Sequence, residues 1–159
     1  MKAVITTAAL LLVAASAQAE VKRYPLPGNS TFPIASAVEV GKLVFESGKV
    51  PAPADPKADK TSAAYWGNTE QQTVSVLSQI EASLKAKGLG MGDVVKMTVF
   101  LVGDPALEGK MDFTGFMKGY TQFFGTAAQP NLPARSAFQI AGLVAPGMLV
   151  EIEVIAVRP

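Results

Sequence analysis

Met148-Leu149-Val150-Glu151-Ile152-Glu153-Val154-Ile155-Ala156-Val157 is the stretch on which the fold turns. It is rich in β-branched residues, carries neither Gly nor Pro, and reads as a strand. Because side chains alternate faces along a strand, Glu151 and Glu153 share one face. An acidic pair two residues apart is ordinarily a solvated face, and Glu153 is read that way.

Working outward, Ala134 to Ala141 reads as another strand, joined to the first across Val144-Ala145-Pro146-Gly147, with Pro130 to Pro133 as a loop before it. Phe113, Phe116, Tyr120, Phe123 and Phe124 recur at three- and four-residue steps and predict an amphipathic helix whose aromatic stripe belongs to the core. Asp104 to Lys110 is a connector, and Asp93 to Val102 a strand. Asn68 with Gln71 three residues on has the form of a capping box, and Thr73, Leu77, Ile80 and Leu84 follow at helical spacing. Gly88 is the terminator. Gly88-Leu89-Gly90-Met91-Gly92 follows a helix rather than a strand, so it is a cap and turn, not a nucleotide loop. Pro51 to Gly67 is a long loop carrying Tyr65 and Trp66. Ser36–Val40 and Leu43–Gly48, separated by Gly41 and Lys42, form a hairpin. The order β-β-α-β-α-β-β predicts an α+β domain of two layers, two helices packed on one face of a mixed sheet.

At the other end, Met1-Lys2 is followed by apolar or small residues from Val4 to Ala15 and by Ala17-Gln18-Ala19. That pattern predicts a signal peptide over residues 1–19, cut after Ala19, and a single domain over 20–159 that is periplasmic or secreted. The formal net charge is +1, and no run of Lys or Arg exceeds two, which argues against nucleic acid or a membrane surface as the partner. The chain has no Cys and no His. Disulfides, Ser-His-Asp and Cys-His triads, and metal sites built on His or Cys are therefore excluded. Chemistry falls to carboxylates, Arg, Lys, hydroxyls and the backbone.

Pro133-Ala134-Arg135-Ser136, followed at a set distance by Val150-Glu151-Ile152-Glu153-Val154-Ile155-Ala156-Val157, resembles the RidA (YjgF-type) family. Val40-Gly41-Lys42-Leu43-Val44-Phe45 with Ser47-Gly48, Gly92-Asp93-Val94-Val95-Lys96 before Thr98-Val99-Phe100, and Tyr120 with Phe123-Phe124 extend the likeness over nearly the whole mature chain. The resemblance implies a chorismate-mutase-like fold, a homotrimer with clefts between subunits, and hydrolytic deamination of enamine and imine carboxylates to 2-oxo acids and ammonia. It implies no cofactor.

In that resemblance Arg135 stands at the carboxylate-binding position, where a planar fork of donors suits a 2-imino acid. From the residues alone Arg135 reads as an arginine paired with a structural carboxylate, and the resemblance reverses that reading. Glu151 stands where the family orients the attacking water, and Arg135 close by would favour its ionised form. Gly48 and Ala137 stand at positions whose backbone approaches ligand. Two positions depart from the pattern: Ile34 replaces a common Tyr, and Met117 is aligned with a common Asn. Tyr65 and Trp66 either reach a cleft or pack on the surface. The leading expectation is an enamine/imine deaminase (a hydrolase of C=N bonds). The alternative is a non-catalytic protein that binds small carboxylates in the same intersubunit cleft.

Overall fold

In the computed structural model, which describes residues 19–28 and 30–159, seven strands make one sheet. They are β1 Val21–Pro25, β2 Ala35–Val40, β3 Leu43–Lys49, β4 Val94–Asp104, β5 Lys110–Met111, β6 Ala134–Ile140 and β7 Val150–Val157. The spatial order is β1-β2-β3-β7-β4-β5, with β6 paired to β4 in parallel and the other pairs antiparallel. The expected leader, apart from Ala19, lies outside the described residues.

The helices are α1 Ala63–Trp66, a single turn, then α2 Thr69–Lys85 and α3 Phe113–Tyr120. The expected two-layer α+β domain is the one observed. Strand β6 and strand β7 are not neighbours, however: β4 inserts between them. Strand β1 and the two-residue β5 add to the expected order.

The sheet's inner face is apolar by alternation. Met97, Val99 and Leu101 of β4 and Val150, Ile152, Val154 and Ala156 of β7 are buried. They meet Val76, Leu77, Ile80 and Leu84 of α2 and Phe116 and Tyr120 of α3. Each of the Val, Leu, Ile, Met and Phe side chains among them contributes roughly 1.5–3 kcal/mol by leaving water.

Two devices position α2, α3 and the entry of β7. The Asn68 carboxamide oxygen accepts from the Gln71 N–H at 2.9 Å, and Gln71 Oε1 accepts from the Asn68 N–H at 3.0 Å. The start of α2 is thereby satisfied as the sequence predicts. One residue on, the buried Gln72 donates to the Gly67 and Gly147 carbonyls and accepts from the Leu149 N–H at 2.7 Å. This ties the helix start to the entry of β7. Secondly, a Cβ at Gly119 would sit 2.7 Å from Thr73 Cβ, so the glycine lets α3 lie directly on α2.

Strand β1 is fastened by charge. Arg158 donates from Nε and Nη2 to the two Glu39 oxygens at 2.6 and 3.0 Å, and the Tyr24 hydroxyl donates to Glu39 at 2.6 Å. These donors, the guanidinium first, hold the Glu39 carboxyl down at about 2.

Candidate functional site

Arg135 lies near the start of β6, which pairs with β4 on one side and with no other strand on its outer side among the described residues. Its cross-strand partner is Met97, a fully buried inner-face residue, so Arg135 projects toward the helices. There its guanidinium carbon lies 4.5, 5.0 and 5.7 Å from the ring centres of Tyr120, Phe116 and Phe113. Nη1 stands 3.2 Å from the Met117 sulfur. No carboxylate among the described residues pairs with it.

The arginine is therefore held by π-faces and a thioether, all poor hydrogen-bond acceptors, and its donors stay available to an anion. The structural ion pair that the sequence left open is not formed. Of the expected aromatic stripe, Phe116, Tyr120 and Phe124 are core, but Phe113 is 42% exposed and Phe123 and Phe124 lie past the end of α3. Phe113, Phe116 and Tyr120 form the platform that aims Arg135. Met117 takes part in that platform.

Glu151 sits across from Phe100 in the β4–β7 register. Phe100 is three residues from Met97, an odd separation, so Glu151 projects from the sheet's outer face, opposite to Arg135. Gly48 sets its place. The β3–β7 register shifts between Glu46 and Lys49, and this bulge turns Gly48 toward Glu151. A Cβ at Gly48 would fall on the Glu151 carboxylate, so a glycine is required for the side chain to lie there.

Burial pushes the Glu151 carboxyl above its ordinary range, and repulsion from Glu153 adds to this. The expectation that Arg135 would hold Glu151 ionised is corrected within one chain, because the sheet separates them. Glu153 is exposed, as read. Ala137 follows Arg135 by two residues and packs beside Val99 against the core, on the Arg135 side.

Two half-sites result: Arg135 with Ala137 and Met117 on the helix side of an edge strand, and Glu151 with Gly48 on the outer face. The outer face carries Phe45 (40% exposed) and Phe138 (52%), large rings left to solvent in a single copy. Ile34, at the position where the resemblance leads one to expect Tyr, is 48% exposed and borders a cavity that Gly48 also lines.

Of the two readings for the long loop, packing holds for Trp66. Its ring lies against Gly147, at the entry to β7, with Tyr65 edge-on at 4.7 Å. Sequence reasoning missed Tyr24, Lys49 and Lys87, which line that same cavity. Val21-Lys22-Arg23-Tyr24 has no apolar alternation that would have announced β1. Nothing in the spacing of Lys49 and Lys87 joins them.

The family model described as Endoribonuclease L-PSP matches residues 29–158. The chain is 34% identical over 126 residues to the 2-iminobutanoate/2-iminopropanoate deaminase of Salmonella typhimurium, covering 79% of this chain and 88% of that one. It is 33% identical over 126 residues, 79% of this chain and 87% of the other, to a RutC family protein of Pyrococcus horikoshii. Among solved structures, Escherichia coli TdcF with bound serine superposes with a TM-score of 0.64 at 31% identity, over 89% of this chain and 98% of that one.

Proposed function

The chain belongs to the Endoribonuclease L-PSP family, the RidA/YjgF family, and from that premise we propose that it hydrolyses small 2-imino and enamine carboxylates to 2-oxo acids and ammonia. The observation that carries this reading is Arg135, a guanidinium held on three aromatic rings with no carboxylate partner among the described residues. In such a setting the fork of donors binds the substrate carboxylate and leaves the adjacent C=N to a water.

Glu151 takes the proton of that water as it attacks the imine carbon, and returns a proton to the departing nitrogen. One carboxyl serves both steps when its pKa is lifted toward the working pH, the direction in which burial and Glu153 push it. Gly48 and Ala137 supply backbone at the two half-sites. With no His and a formal charge of +1, the chain lacks the usual acid-base residue and the basic surface of a nuclease.

Because Arg135 and Glu151 leave opposite faces of one sheet, we assign the complete site to two copies of the chain, assembled as a homotrimer through the outer face bearing Phe45 and Phe138. Serine bound to TdcF is consistent with a small amino-acid-like ligand. We place the mature protein outside the cytoplasm, beginning at Glu20. An N-terminal mass taken from an expressing cell checks that.

The test is ammonia release from 2-imino acids generated in situ by an amino-acid oxidase. The protein accelerates release over the spontaneous rate. Arg135→Ala lowers kcat/KM by roughly 100-fold, the value of a charge-assisted pair near 3 kcal/mol. Glu151→Gln abolishes turnover but keeps carboxylate binding. No acceleration with any side chain, alongside intact binding, would favour the non-catalytic carboxylate binder. A monomeric mass by light scattering at micromolar concentration would remove the intersubunit site.

A further inference from the structure

Between β1 with the segment that follows it, the bulged end of β3 and the last turns of α2 lies a cavity of about 870 Å³, within the size range of small-molecule pockets. Neither Arg135 nor Glu151 lines it. Its walls are largely apolar, with Pro25, Leu26 and Ile34 on one side, and Val50 and Ala82 on the other.

A charged network lies beneath it. The Glu46 side chain is fully buried, and Lys87 Nζ lies 2.8 Å from its Oε1. The same ammonium donates to the Ser83 carbonyl at 3.1 Å and to Ser83 Oγ at 2.8 Å, and that hydroxyl donates to Glu46 Oε2 at 2.7 Å. The Lys87–Glu46 pair is neutral, and Glu46 Oε1 meets the ammonium as an ion pair while accepting no hydrogen bond among the described residues.

Lys49 is the cation left over. It borders the cavity and is half-buried, and among the described residues its ammonium has no hydrogen bond or ion pair. Burial pushes that ammonium below the usual lysine range, with Glu46 acting against the shift and Lys87 with it. A half-dehydrated cation facing an apolar cavity is stabilised by an anion that brings its own apolar body. Since Glu46 already cancels Lys87, the cavity carries a single net positive charge and suits a single negative one.

We propose that this cavity is a second small-molecule site, taking an amphipathic monocarboxylate whose head pairs with Lys49 and whose hydrocarbon or aryl body lies along Leu26, Ile34 and Val50. It adjoins the Glu151 half-site, since Gly48 and Ile34 also line it, but its charge comes from Lys49 and neither Arg135 nor Glu151 lines it.

The experiment is isothermal titration of the full-length mature protein with octanoate, its neutral isostere octanamide and inorganic phosphate. Octanoate saturates at one per chain, octanamide binds at least about tenfold more weakly, and phosphate gives no saturable heat. Lys49→Gln brings octanoate down to the octanamide level. Ala82→Phe, which fills the cavity without touching the charges, weakens both. Arg135→Ala retains octanoate binding. The proposal is overturned if octanoate does not saturate, if Lys49→Gln leaves its affinity unchanged, or if Arg135→Ala removes it.

Discussion

The Arg135 corner and the Glu151 corner come from motifs only sixteen positions apart in the chain, yet they are built on different principles. Arg135 is aimed by what packs against it: three rings and a thioether on α3, itself seated on α2 through Gly119 and Thr73. Glu151 is aimed by what is missing beside it, since the bulge in β3 brings up Gly48 where any side chain would displace the carboxylate. The first corner keeps a permanent charge with its donors unspent. The second keeps a titratable group whose proton affinity is raised by burial. Under the roles proposed for them, Arg135 and Glu151 are complementary without being neighbours in the monomer. A sheet's alternation can assign them to opposite faces and leave assembly to join them.

The largest effect that could break this contrast comes from mixing Arg135→Ala subunits with Glu151→Gln subunits after co-refolding. Each variant alone loses about 100-fold or more in ammonia release. If the corners belong to different copies, random trimers regain roughly a quarter of wild-type activity, because that share of interfaces carries both intact partners. Recovery of nothing would place both residues in one chain's site and undo the two-copy arrangement.

Gly48→Ala sharpens the comparison by striking only the second corner. The added methyl meets the far end of a flexible side chain, so the fold accommodates it while Glu151 turns away. Turnover falls about tenfold, carboxylate binding at Arg135 is kept, and the melting temperature moves by only a few degrees. Equal losses in binding and turnover would mean the corners are not separable.

A smaller effect tests the carboxyl itself. Glu153→Gln removes the like charge that raises Glu151, leaving burial as the remaining cause. The acidic limb of the pH–rate profile therefore moves to lower pH by a fraction of a unit. A limb that stays put would assign it to another group.

The smallest change is expected far from either corner. Glu39 is held at about 2 by Arg158 and Tyr24, below the ordinary carboxyl value of 4.5. Its folded-state pKa is depressed, so its contribution is complete above 4.5 and is lost as pH falls from there toward 2. Denaturant midpoints of wild type and Glu39→Gln should differ at neutral pH and converge through that window. Curves that stay parallel down to the lowest pH would mean the pair adds no pH-dependent stability.

Much of the fold was legible because local physics and tertiary packing agree. The Asn68–Gln71 box is a two-residue device that works wherever a helix begins, and the Val-Ile alternation of β7 needs only one buried face. Strand β1 was not legible: it is short and exposed along most of its length, and is fixed by Glu39 and Arg158 rather than by an apolar pattern. The platform under Arg135 was half-legible. The stripe at Phe113, Phe116 and Tyr120 was visible as a core face, but that the same rings carry a guanidinium depends on where the parallel register sets β6.

By itself, then, the sequence determined the α+β layers and the residue types left for chemistry once His and Cys are absent, while Arg135 and Glu151 became paired candidates only through the family resemblance. Tertiary structure alone decided that β4 lies between their strands, that the two side chains leave opposite faces, and that Lys49 borders a cavity with Lys87 already neutralised by Glu46. The physical reason is range. Periodicity and capping are set by neighbours within a few positions, whereas strand order, register and the sharing of charge are set by residues that meet only when the chain has folded.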